Sequence, residues 1–124
     1  MPIPVAIALG GAAGSLARYW IATSVTSRAG IGGTGTFAVN LLGALAIGLI
    51  FGALEGRAAP PPRWVTLGLT TGVLGGFTTF SAFAYDAVGH IEAGDTPLAL
   101  AYVFGTVVLG VAAAYGGLAL GRSL

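Results

Sequence analysis

Three groups of residues in this chain have types and spacings that suit chemistry. Thr36 and Asn40 stand four apart, so on a helix they face the same way. A hydroxyl and an amide NH2 are both hydrogen-bond donors. Tyr102 and Thr106 repeat the spacing, and Gly110 and Ala114 continue the line. Between these pairs lie Phe77, Phe80 and Phe83 at three-residue steps, with Thr78, Thr79 and Ser81 among them. A phenyl ring has a positive edge as well as a negative face, so ring edges beside hydroxyl donors can hold a small anion without a fixed cation. Each residue also has a plainer reading. Asn is common interhelical glue, a lone Tyr at depth packs with its hydroxyl on a carbonyl, and phenylalanines at helical spacing are most often core or lipid-facing. Two donor stripes and a phenylalanine run together begin to look like the lining of a path.

The charges tilt that lining toward anions. Only Asp86, of four carboxylates, falls within an apolar run, and it sits near the end of one. Arg18 is the one positive charge inside such a run, where it either serves the path or snorkels to anchor its helix. No catalytic constellation competes. His90 is the only histidine and is expected in a loop, there is no cysteine, and Ser15, Ser24, Ser27, Ser81 and Ser123 have no base nearby in sequence.

The elements that must position these residues follow from composition. Of 124 residues, 56% are hydrophobic and 7% charged, with 22 glycines and a net charge of +1. Mean hydropathy is +0.92. A globular domain carries roughly a quarter charged residues, so the solvent for most of this chain is lipid. The charge excludes a basic surface for nucleic acid, and the lack of cysteine excludes disulfides and thiol or cysteine-metal sites. Apolar runs between polar or Pro/Gly breaks give spans at about 3–25, 36–54, 64–88 and 97–120. At roughly 20 residues per crossing they use most of the chain, in one transmembrane domain. The first run lacks a basic leader and reads as a spanning helix, not a cleaved signal. Short connections make successive helices antiparallel neighbours, and Pro97 opens the fourth span where its missing N–H costs nothing.

Small residues recur at four-residue spacing: Gly10 and Gly14; Ala44, Gly48, Gly52 and Gly56; Gly68 and Gly72; Gly117 and Gly121. Such stripes let backbones approach closely in lipid, where apolar burial does not drive helices together. Gly75-Gly76, followed by Thr78 and Thr79, is poor helix material and predicts a break in the third span. A break at that depth is tolerated only where protein, water or an ion satisfies the freed backbone groups. Arg57, Arg63 and Arg122 fall on one side of four spans and Arg28 on the other, so orientation is weakly specified.

The run Gly75-Gly76-Phe77-Thr78-Thr79-Phe80-Ser81-Ala82-Phe83 resembles the third-helix signature G-x-T-T-F-S-T-F of the Fluc (CrcB) fluoride channels. Gly10 to Arg18 in the first span and Gly35 to Gly43 in the second agree with it, as do length, span count and motif order. The resemblance implies an antiparallel, dual-topology homodimer in the cell membrane, with two fluoride pores and a structural sodium ion at its centre. It makes Phe80 and Phe83 the pore phenylalanines and Asn40 the donor near them. Arg18 becomes the vestibule arginine, and Tyr102 with Thr106 the polar track, alongside Ser81. It puts the sodium on the backbone carbonyls of Gly75 and Thr78. Ala82 replaces the usual Thr or Ser, Gly110 stands where a serine often continues the track, and Asp86 where a glutamate is common. Physics agrees at three points. Four helices leave little room for a pore along their own axis, weak charge bias permits insertion both ways up, and a two-fold axis through a break brings four carbonyl oxygens together, a cage suited to a hard monovalent cation.

Two other classes compete. A small dual-topology multidrug-type transporter would need a buried carboxylate in the first span, which holds Arg18 and no acid. A non-transporting assembly subunit would explain the glycine stripes but not the coincidence of Asn40, the Phe/Thr run and the break.

Overall fold

The computed structural model describes residues 1–124, and every element in it is a helix. Helix α1 spans Ile3–Ala29 and α2 spans Thr34–Leu54. Then α3 (Arg63–Leu67), a π-wound stretch (Gly68–Leu74) and α4 (Gly75–Phe77) follow one another directly. Thr78 and Thr79 are extended, α5 spans Phe80–Glu92 and α6 spans Thr96–Arg122. Four lengths are long and apolar enough to cross a membrane: Ile3–Ala29, Thr34–Leu54, Arg63–Glu92 and Thr96–Arg122. Each contains the span expected from sequence. The third runs on to Glu92, which puts His90 on a helix and not in a loop.

The connections are short and end on specific chemistry. Gly30 (φ 68°) closes α1 by donating its N–H to the Thr26 carbonyl, and Gly33 (φ 86°) opens α2; both φ values suit a residue without Cβ. The Asp95 carboxylate accepts the Leu98 N–H at 3.2 Å and caps α6, with Pro97 in the first turn as expected. At the other end Arg122 donates to both oxygens of Glu55, at 2.6 and 3.2 Å, and this guanidinium holds the Glu55 carboxyl below its ordinary range. Both side chains are half exposed, so the pair contributes little to stability.

Packing is set by the glycines. On α1, a Cβ at Gly14 would collide with the Val73 carbonyl. Facing it, a Cβ at Gly76 would stand 2.5 Å from the Gly11 carbonyl. Gly48 and Gly52 on α2 meet α6 at Gly117 and Gly121 in the same way, each lying against a backbone carbonyl of the other helix. The broad contacts therefore join alternate spans, first with third and second with fourth. Successive spans touch less, contrary to the simple expectation from loop length, because the matched glycine stripes lie on alternate spans. Gly56 does not extend its stripe; it lies beyond α2 with φ 75°.

The break is in the third span but not at the glycines. Gly75 and Gly76 are helical, and the chain opens at Thr78 (ψ 156°) and Thr79 (φ −152°, ψ 119°). Gly76 is required for contact with α1, while the threonines terminate and restart the helix. Both the N–H and the hydroxyl of Thr78 donate to the Leu74 carbonyl at 2.9 Å. The Thr79 hydroxyl then caps α5 by accepting the Ala82 N–H at 3.2 Å. Upstream, Thr70 donates to the Thr66 carbonyl at 2.9 Å within the π-wound turns, a widening that is rare and frequent at functional sites. Only 16 of the 124 residues are buried, so most of the apolar surface of every span is left for lipid or another protein.

Candidate functional site

The break is held by side chains from two other helices. Asn40 on α2 pairs reciprocally with Thr79: Nδ2 donates to the Thr79 carbonyl at 2.9 Å, and the Thr79 N–H donates to Oδ1 at 2.8 Å. An extended backbone presents its N–H and C=O side by side, and a primary amide matches them as a neighbouring strand would. One Asn40 donor hydrogen is thus engaged by protein, and the other remains. On the α1 side, Arg18 does not snorkel; its Nη1 lies 3.5 Å from the Thr78 carbonyl, a long contact to a partly buried oxygen.

Two cavities flank Thr79. One of about 400 Å³ is lined by Arg18, Ser15, Thr36, Thr79 and Ser81. The other, of about 460 Å³, is lined among others by Asn40, Thr78, Phe80, Phe83 and Thr106. Ser81 and Thr79 place their hydroxyl oxygens 3.3 Å apart. Of the predicted donors, Asn40, Thr36, Ser81 and Thr106 are therefore brought together around the break, on both of its sides, whereas Tyr102 lines neither cavity.

The aromatic run is divided by the break. Phe77 precedes it and packs toward Gly43 of α2, so it leaves the line. Phe80 and Phe83 follow it one turn apart on α5, with ring centroids 5.7 Å apart and tilted by 49°. Phe83 is 8% exposed and rests on Tyr102 at 5.3 Å, whereas Phe80 is 78% exposed. The Tyr102 hydroxyl donates to Asp86 Oδ2 at 3.3 Å. Thr106, one turn further along α6, has a buried hydroxyl with no partner in the protein. A buried unpaired hydroxyl costs about 1–3 kcal/mol, which a ligand accepting its hydrogen would recover. Beyond Thr106 the stripe divides: Gly110 faces open space, while the Ala114 backbone lies against Gly48.

Gly75 and Thr78 meet the terms of a cation site unequally. The Thr79 N–H, which an unbroken helix would give to the Gly75 carbonyl, goes to Asn40 instead. Gly75 is exposed, and a Cβ there would meet nothing nearer than the Thr70 carbonyl at 4.0 Å, so the protomer itself does not require glycine at that position. The Thr78 carbonyl keeps one lone pair beside Arg18. Neutral carbonyl oxygens at a helix break fit a hard monovalent cation.

Thr79, marked in the sequence only as a member of the donor run and of the break, is the hub of the site. The signal was present as a cap, a threonine three residues ahead of the Ala82 N–H it accepts. Its partner Asn40 is 39 residues away, a pairing that no local pattern carries.

Residues 5–118 match the family described as "CrcB-like protein, Camphor Resistance (CrcB)". The chain is 46% identical over 117 residues to the fluoride-specific ion channel FluC of Solibacter usitatus, covering 94% of this chain and 95% of that one. It is 46% identical over 119 residues to FluC of Paracoccus denitrificans, covering 95% and 93%. To FluC of Aquifex aeolicus it is 42% identical over 125 residues, the full length of both. With its broken third span and its signature residues gathered about the break, this chain belongs to the CrcB family.

Proposed function

We propose that the chain is a passive, fluoride-selective channel of the cell membrane that exports fluoride and so relieves its toxicity. The observation that carries this reading is the buried, unpartnered hydroxyl of Thr106, a residue that lines a cavity walled by Phe80 and Phe83 and free of any carboxylate. Fluoride is small, tightly hydrated and only an acceptor, so a selective path must replace water with donors at close range. Arg18 draws the anion into one cavity, where Thr36 and Ser81 replace part of its hydration. The phenyl edges, the remaining Asn40 hydrogen and Thr106 carry it past the break toward Tyr102. The full-length relatives named for fluoride support the choice of ion.

The working unit in this reading is an antiparallel, dual-topology homodimer. Phe80 and Gly75 are exposed on one protomer, and the larger cavity opens on the same side, so a second copy would complete its walls. The Gly75 and Thr78 carbonyls of both copies would hold a structural sodium ion that neutralises their facing dipoles. The chain's own part is to release the Gly75 carbonyl through the Asn40–Thr79 pair.

Reconstitution in liposomes tests the function. Fluoride efflux followed with an ion-selective electrode is expected to be fast and independent of a proton gradient, with chloride efflux near background. Comparable fluxes of the two halides overturn the reading.

A further inference from the structure

His90 lies outside the path just described, one turn beyond Asp86 on α5. Its Nε2 is 3.0 Å from the carbonyl of Gly32, in the loop between α1 and α2. A carbonyl only accepts, so Nε2 carries the proton and the imidazole donates. The ring also stands edge-on to Tyr102, with centroids 5.7 Å apart at 72°. Next to Gly32, Gly33 lies directly against the Tyr102 ring: a Cβ there would stand 3.0 Å from it and 3.3 Å from Asp86 Cβ. The α1–α2 loop meets α5 and α6 at this one end of the bundle, His90 lying 58 residues beyond Gly32, and a single imidazole joins the loop to α5 by a hydrogen bond while touching α6.

We propose that His90 is a positioning residue for Tyr102: by donating to Gly32 it latches the α1–α2 loop over the Tyr102 ring and fixes the mouth of the path. This deepens the channel reading and rests on it for its consequence, although the latch itself is a property of the fold. No other hydrogen bond joins this loop to α5 or α6.

The test uses the full-length protein in liposomes with two readouts, amide hydrogen exchange of residues 30–36 and fluoride efflux. His90→Leu removes the donor while keeping bulk, and His90→Gln keeps a donor. In His90→Leu, loop exchange is expected to quicken about fivefold, the worth of one neutral hydrogen bond, and fluoride efflux to fall by a similar factor. His90→Gln is expected to restore both. Unchanged loop exchange in His90→Leu overturns the latch, as does loop exchange in His90→Gln as fast as in His90→Leu. Faster loop exchange with unchanged efflux overturns the positioning role. A wild-type protein that carries no fluoride, yet whose loop loosens in His90→Leu, overturns the channel reading and leaves the latch standing.

Discussion

At the scale of single residues, the informative groups are those whose hydrogen bonds are incomplete. Tyr102, Asn40 and Thr79 each have a protein partner, whereas the Thr106 hydroxyl has none. Thr106→Val replaces that hydroxyl by a methyl of nearly the same shape. Removing an unsatisfied buried hydroxyl relieves its desolvation, so stability is expected to hold or to rise by about 1 kcal/mol. Fluoride efflux is expected to fall by roughly tenfold, since one donor to a desolvated anion is lost. A variant less stable than the parent would mean that Thr106 has a structural partner, and one with full efflux would remove it from the path. This residue was legible in sequence only as the second member of a four-residue pair with Tyr102. That its hydroxyl lacks a partner depends on α2 and α5, which lie far from it along the chain.

At the scale of elements, the four spans were legible because lipid permits little else: each needs about 20 apolar residues, and the breaks between them are polar or rich in proline and glycine. The existence of the third-span break was legible too, but not its position. Adjacent glycines weaken a helix by propensity, yet Gly76 is needed where it is so that α1 can approach, and the helix ends two residues later at Thr78. Packing overrode propensity, with Asn40 supplying the bond that lets the chain open. The same packing separates glycines that look alike in sequence. Gly14→Ala would drive a methyl into the Val73 carbonyl and is expected to destabilise the protomer by about 1–3 kcal/mol. Gly11→Ala would meet only the Gly72 carbonyl at 4.0 Å, an ordinary contact, and is expected to be neutral. Thermal melts in detergent compare the two directly, and equal melting temperatures would refute the glycine seam.

At the scale of the whole molecule, most of the surface is apolar and open, and Phe80 stands unshielded beside a buried Phe83. The proposed antiparallel dimer covers that ring and requires both orientations in one membrane. Ile31, exposed at 47% in the loop between α1 and α2, is a site for Ile31→Cys. An impermeant thiol reagent applied from either side alone is expected to label about half the population, as the weak arginine bias implies. Complete labelling from one side refutes dual topology. The pairing of alternate spans bears also on how the chain comes into being. A nascent polypeptide enters the bilayer from its N-terminus, so α1 arrives before its chief partner, the stretch 63–77, and α2 before α6. Thus α1 waits in lipid for its chief partner until the third span is made, and α2 waits for its own until synthesis is almost complete. The Asn40–Thr79 pair can form before the fourth span, but the cavity wall at Thr106 cannot, and a ribosome stalled at that point would leave a membrane segment with no completed path through it.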